Sequence, residues 1–456
     1  MTTSAATINA TDQVRQDFQY SASVDGLLKQ VYIPALNNVT FHATPLMDMF
    51  GEFGGTIDFA GNKVIKGFKH QGAGGFGGIP EGGTFVTGRK QKGFQGAERL
   101  KYLNAFLSLT GPAARTVREG QGAFVDAISS AMDDTLKLAK MQMERIIGGA
   151  CDGVIASSLV PAATWAGGAT TAMTITGLAG TGGYSPLHWL QEGMKVDICS
   201  DKIGTLITGT AKAATVSAID YAAGTATLTP AGEITVADAS TIYLTLASAY
   251  GDIEAPGTVT ADSCLEPNGL DNLVSDGASA GETDTPKTTI WGLTRSTYPD
   301  ALRSIVKLAA SAELDEELMM GWLLDLVNYR QSVPNVMVTD PRSRLKYFSN
   351  LKDDRRFNTT VLDSSFGFRS LAVTIDQYTM LLQSLTSLKP GTLYMLNTGD
   401  FKFARATPGF TWIESGGKIM RDYETVDAMF ATAVDYVNFV CENPRGQLKA
   451  TGISYT

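Results

Sequence analysis

A chain of 456 residues, 44% hydrophobic, has the length for about three domains and ample apolar side chain for packed cores. Its formal charge of −9 argues against a surface built to neutralise nucleic-acid phosphates, which requires clustered Lys and Arg. The four cysteines, Cys151, Cys199, Cys264 and Cys441, form no Cys-x-x-Cys pair and read as buried thiols rather than a zinc or disulfide framework.

Residues 1–20, MTTSAATINATDQVRQDFQY, have no basic start followed by an apolar core. No run of about 18 apolar residues occurs, so neither a secretory signal nor a membrane span is expected, and the chain is expected to be soluble where it is made. The segment stays polar until Leu27, Leu28, Val31, Tyr32 and Ile33. Residues 1–50 therefore read as an arm, either frayed or ordered against a partner.

Between Gly51 and Gly96 lie 15 glycines, flanked by the β-compatible runs NKVIKGFKH and TFVTGRKQKGF. Residues 51–112 read as a two-stranded ribbon with a glycine-rich tip, HQGAGGFGGIPEGG. That tip contains Gly72-x-Gly74-x-x-Gly77, the spacing of a dinucleotide-binding turn, but such a turn must open a helix. Gly78, Ile79, Pro80, Glu81, Gly82 and Gly83 follow instead, a poor first helical turn. A lone ribbon is marginal in water, and Phe68, Phe76, Ile79, Phe85 and Phe94 would be poorly covered by it, so another subunit is the expected cover. Lys63, Lys66 and Lys69 on one strand and Arg89, Lys90 and Lys92 on the other form a basic cluster, read as a solvated face or as ion pairs to an acidic neighbour.

Val117, Phe124, Ile128, Met132, Leu136, Ala139, Met143 and Ile146 recur at steps of three and four, which predicts one helix over about 113–147, stopped by Gly148-Gly149. Its other side carries Arg118, Glu119, Asp126, Asp133, Asp134, Lys137, Lys140, Glu144 and Arg145, read mostly as a solvated or subunit-facing stripe. Residues 151–255 alternate in short Ala/Thr/Gly-rich runs (TAMTITGL, MKVDICS, TLITGT, AATVSAIDY, GTATLTP, TIYLTLAS), the pattern of a small β domain or insertion, a sandwich or a barrel. Residues 256–289 are rich in turn formers and read as a linker. Beyond them come a helix near 298–310, a second in SAELDEELMMGWLLDLVNYRQ, a buried strand VPNVMVTD, and a helix with Asp340 as N-cap and Pro341 at its first position. SLAVTID and TLYMLN read as strands, and ETVDAMFATAVDYVNFVCEN as a long strand or a pair.

Catalytic signatures are weak. Gly277-x-Ser279-x-Gly281 matches a nucleophile elbow in spacing but lacks the preceding apolar strand and following helix. His42, His70 and His188 are isolated, and no phosphate-binding Gly-x-x-x-x-Gly-Lys loop occurs.

The order of parts, with GFGGIPEGGTFVTGRKQKGFQGAERLKYLNAFLSLTGPAARTVREGQGAFVDAISSAMDDTLKLAKMQMERII as ribbon and helix and SVPNVMVTDPRSRLKYFSNLKDDRRF as strand and helix, resembles the major capsid protein of tailed bacteriophages. That is the Hong Kong phage capsid fold, shared with encapsulin shells. The resemblance implies an α+β chain: an arm (1–50), an extended loop (51–112), a spine helix of the peripheral domain (113–150), an inserted β domain (151–255), a linker (256–289), an axial domain (290–423) and a peripheral return strand (424–456). It implies that the extended loop lies over a neighbouring subunit, with Lys63, Lys66, Phe76, Ile79, Arg89, Lys90 and Lys92 as contacts, and that Asp133 and Asp134 belong to the charged stripe of the spine helix. Hexamers and pentamers would close into an icosahedral shell around double-stranded DNA held without sequence-specific contacts. A portal protein would take part, scaffold and decoration proteins are further partners to consider, and no cofactor or enzyme activity is implied. The particle would be the virion capsid, built in the host cytoplasm. An encapsulin-type cargo shell is the alternative, though such shells usually lack so long an arm and so large an insertion; a serine hydrolase using Ser279 is a third reading.

Overall fold

The computed structural model describes residues 45–52, 59–60, 63–110, 123–151, 153–160, 163–165, 173–175, 186–199, 213–236, 240–246, 265–277, 288–350, 371–375, 378–422 and 426–454. The chain mixes helix and strand. It divides into two units, one drawn from Asn104–Ala139 and Phe410–Val434 and the other from Thr44–Leu103, Lys140–Gly409 and Asp435–Thr456.

The second unit is built around a six-stranded sheet in the order Ile305–Leu308, Leu448–Thr451, Leu393–Leu396, Val336–Thr339, Tyr378–Ser384, Leu371–Ile375. Every residue of Val336–Thr339, Leu393–Leu396 and Leu448–Thr451 is buried, as expected of strands covered on both faces. Alternation then sends neighbours to opposite cores. Met337 and Met395 pack with Met319, Trp322, Leu323 and Leu326 of the helix Glu316–Arg330 and with Tyr347 of the helix Pro341–Asn350. Val336, Val338, Tyr394 and Leu396 join a second core with Leu46, Phe50, Met143, Ile147, Phe401 and Phe439.

The caps follow from sequence. Asp315 accepts from the Leu318 amide at 2.8 Å and starts its helix. Asp340 accepts from the amides of Arg342 and Ser343, both at 3.1 Å, with Pro341 first in the helix as expected, and its other oxygen accepts from Gly391 N at 3.0 Å. One carboxylate thus both starts the helix and ties it to the next loop.

A smaller ladder runs Gly51–Glu52, Phe401–Arg405 and the Val437–Cys441 part of the strand Ala428–Cys441. Phe50, Phe401 and Phe439 meet there with ring centroids 5.0–5.6 Å apart. In the 151–255 region, Val154–Val160, Ser240–Leu246, Lys195–Cys199, Ala213–Asp220, Thr225–Pro230 and Met173–Ile175 form their own antiparallel sheet, and Ala163–Trp165 pairs with Ile234–Val236. Strict alternation of half-buried and buried residues along Thr225–Pro230 is what the period-2 sequence predicts. The run TLITGT falls outside the described residues.

The first unit contains the start of the long strand, where Thr411 and Trp412 pair with Val434 and Ala433 and Arg421 pairs with Phe430. Phe106 stacks on Phe430 at 5.9 Å, and Asp134 bridges to Lys137 at 3.6 Å on the helix.

Four expectations change. The helix expected near 298–310 is one turn, Pro299–Leu302, followed by the strand Ile305–Leu308; β-branched Ile305 and Val306 pair with the far C-terminal strand instead of continuing the helix. The supposed linker is core where it is described. Residues 266–275 are buried, and Arg295, 1% exposed, donates to the carbonyls of Asn272, Leu273, Ser275 and Leu302. Residues 424–456 are not one return strand, because Ala428–Cys441 and Leu448–Thr451 enter different sheets. Glu144 and Arg145 are buried rather than solvated. The long helix spans Ala123–Gly148, about 39 Å, and the earlier part of its expected range lies outside the described residues. The 1–50 arm is described only from residue 45.

Candidate subunit-contact ribbon

Lys63–Gln71 pairs antiparallel with Lys92–Arg99, in a register that sets Lys63 opposite Arg99 and Phe68 opposite Phe94. The second strand lies later than TFVTGRK suggested; that run belongs to the tip, where a single bridge joins Gly74 to Arg89. Threonine and valine there favour a strand, but the glycine-rich run opposite them has too little side chain to hold one.

The root of the ribbon is fixed within the chain. Phe68 stacks on Phe94 at 5.2 Å, Phe94 stacks on Tyr298 at 4.2 Å, and the edge of Trp291 meets Phe68 at 5.4 Å. Trp291 occupies a two-residue turn with Gly292, at φ of +54° and +68°, between Thr289–Ile290 and Leu293–Thr294. A left-handed tryptophan is strained by about 1–3 kcal/mol and persists only where its surroundings fix it. They do so here. Its amide donates to Glu98 Oε1 at 2.7 Å, its indole N–H to the Cys441 carbonyl at 2.8 Å, and its carbonyl accepts from Ala97 N at 2.9 Å. Gly96 makes this possible, since a Cβ there would stand 2.6 Å from the Trp291 Cβ. Lys66 pairs with Glu442, next to Asp400, whose carboxyl is pushed up by burial. So Phe68, Phe94 and Lys66 have partners within the chain, contrary to the expectation of a neighbouring subunit for them.

The tip has no such cover among the described residues. Phe76 is fully exposed, Phe85 is 85% exposed, and Ile79 and Val86 are exposed beside them. Pro80–Gly83 closes a turn through Gly83 N to the Pro80 carbonyl at 2.9 Å, with Gly82 at φ +75°. No helix follows Gly72, Gly74 and Gly77, so the dinucleotide pattern builds no phosphate cradle. Lys63 is half-buried, while Arg89, Lys90 and Lys92 are exposed. Asp133 and Asp134 are exposed on the long helix, in the other unit.

The remaining sequence candidates do not converge. His70 faces the rings of Phe94 and Tyr298 at 6.4 and 6.0 Å, His188 lies on Trp189, and Ser279 and His42 fall outside the described residues. Among the described residues no three His, Cys, Asp or Glu side chains gather to hold a metal ion, and no helix is long and apolar enough to cross a membrane. Cys151, Cys199 and Cys441 are buried free thiols, as read from sequence.

Buried charge concentrates elsewhere in the second unit, where sequence reasoning gave no signal. Asp271 receives Lys449 at 2.5 Å, Lys389 at 2.6 Å and the Tyr394 hydroxyl at 2.9 Å. Burial raises its pKa, and the two ammonium groups outweigh that and hold it well below the usual carboxylate range. Arg145 pairs with Glu266 and donates to the Val154 carbonyl at 3.2 Å. These read as structural clamps, since each of these charges has a partner of opposite sign.

No family model matches the chain, and no curated protein does. The chain is similar to solved capsid proteins of tailed phages. The capsid of cyanophage A-1(L) matches at 12% identity with a TM-score of 0.47, over 94% of this chain and 98% of that one. The capsid of Myoviridae phage XM1 matches at 8% identity and a TM-score of 0.40, over 94% and 98%. An encapsulin of Synechococcus elongatus PCC 7942 matches at 8% identity and a TM-score of 0.41, over 96% and 97%.

Proposed function

We propose that the chain is a structural subunit of a closed protein shell, the major capsid protein of a tailed phage. The observation that carries this is the tip of the ribbon: four large apolar residues, Phe76, Ile79, Phe85 and Val86, stand in solvent at the end of an arm whose root is locked by Trp291. Exposed apolar clusters of that kind mark contact with another macromolecule. A second copy of the chain is the partner that fits a self-assembling shell, with the tip seated on its neighbour and Arg89, Lys90 and Lys92 beside it. Hexamers and pentamers of such subunits close the shell. Portal, scaffold and decoration proteins are the further partners of this reading, and the virion is its final location after assembly in the host cytoplasm. The net charge of −9 suits a container that encloses double-stranded DNA without gripping it. The work of the protein on this reading is assembly, not catalysis.

Electron microscopy and sedimentation of the purified chain test the reading. Rings of five and six or closed particles are expected. A monomer at every concentration and salt, with and without co-expressed neighbouring phage proteins, would overturn it.

A further inference from the structure

Glu144 lies in the last turns of the helix Ala123–Gly148 and is 2% exposed. Its Oε1 accepts from the Leu46 amide at 2.9 Å and its Oε2 from the Met47 amide at 3.1 Å, the first-turn amides of the helix Pro45–Met49. The Ser387 hydroxyl donates to Oε1 at 3.4 Å. Among the described residues no cation pairs with this carboxylate. Arg145, next along the helix, is taken by Glu266, and Lys389, two residues beyond Ser387, is taken by Asp271. Among the described residues the charge that faces Glu144 is a like one, the Asp48 carboxylate on the docked turn itself. A buried, unpaired carboxylate is the expensive form of the group.

We propose that Glu144 and the turn Pro45–Met49 form a proton-dependent latch, in which acid tightens the docking of the turn onto the helix and alkali loosens it. When protonated, the carboxyl can keep one amide through its carbonyl oxygen and donate its proton to Ser387. When ionised, it keeps both amides but stays out of water beside Asp48. Burial, with Asp48 adding to it, pushes the carboxyl up to about 7 in the docked state, against the downward pull of the two amides and the serine. Lifting the turn returns water to the group and lets it fall toward 4.5. The docked form thus holds its proton more tightly. Docking is strongest below pH about 4.5, weakens between about 4.5 and 7, and levels off above, by at most about 300-fold in the docking equilibrium. Leu46, Met49 and Phe50 stay as the apolar anchor of the segment at every pH.

Hydrogen exchange of the Leu46 and Met47 amides in the full chain, corrected for intrinsic exchange, reads the latch. Between pH 5.5 and 8 the opening constant should rise about 25-fold. Glu144→Gln, a mimic of the protonated form, should hold it low and flat across that range. Asp48→Asn should move the midpoint to lower pH. A flat profile in the native chain, or the same slope in Glu144→Gln, would overturn the latch. If Glu144→Gln does not fold, a carboxyl NMR titration of the native chain decides: a Glu144 midpoint near 7 supports the latch and one near 4.5 refutes it. None of these readouts depends on shell assembly, so the latch and the proposed function fail separately.

Discussion

The two ends of one ribbon treat the same residue type in opposite ways. At the root, Phe68 and Phe94 find Trp291 and Tyr298 within the chain; at the tip, Phe76 and Phe85 stand exposed and find no ring partner among the described residues. Composition does not separate them, since both ends are Phe- and Gly-rich. What separates them is whether a distant segment of the same chain arrives: 289–298 and Cys441–Glu442 reach the root, and among the described residues none reaches the rings at the tip. Apolar residues that the fold covers report on stability, and apolar residues that it leaves open report on a partner.

Root substitutions should therefore unfold, and tip substitutions should not. Trp291→Ala removes the indole and its bond to Cys441, and should lower unfolding free energy by about 3–5 kcal/mol in a denaturant titration. A loss below about 1 kcal/mol would mean that the root is not locked. Of comparable size, Asp271→Asn leaves Lys449 buried without its counter-charge and should lose about 3–5 kcal/mol. Because Asp271 is held below its ordinary range in the fold, its contribution is complete above the unfolded value of about 4 and fades as pH falls beneath it. In the native chain, acid should thus remove a part of the stability that Asp271→Asn has already lost. Gly96→Ala brings a Cβ against Trp291 and should lose about 1–3 kcal/mol by overpacking. An unchanged melting curve would show that the turn at Trp291 can shift. Smallest of all on stability, Phe76→Ser with Phe85→Ser should stay within about 0.5 kcal/mol of the native chain.

Local signals were legible in the sequence and distant partners were not. Asp340-Pro341 announced a helix start, and the alternation of 225–230 announced a strand, because those patterns need only near neighbours. The ribbon and the long helix were readable for the same reason. The basic cluster left open a solvated face or ion pairs, and the pair at Lys66 could not be assigned a partner locally because Glu442 is 376 residues away. Glu144 and Arg145 looked like a solvated helix edge, yet they reach Leu46 and Glu266, 98 and 121 positions distant. Residues 265–277 looked like a linker because Pro, Gly, Asn and Asp dominate, while the Arg295 and Lys449 that bury them lie outside any local window. The strand Ile305–Leu308 was lost to a helical reading because its pairing partner is the last strand of the chain.

The most direct test of the central claim compares assembly of the native chain with that of Phe76→Ser, Phe85→Ser at matched folding stability, by sedimentation and electron microscopy. The account predicts rings or closed particles from the native chain and folded, unassembled subunits from the variant. A variant that melts like the native chain and still forms the same particles would show that the exposed tip is not a subunit contact.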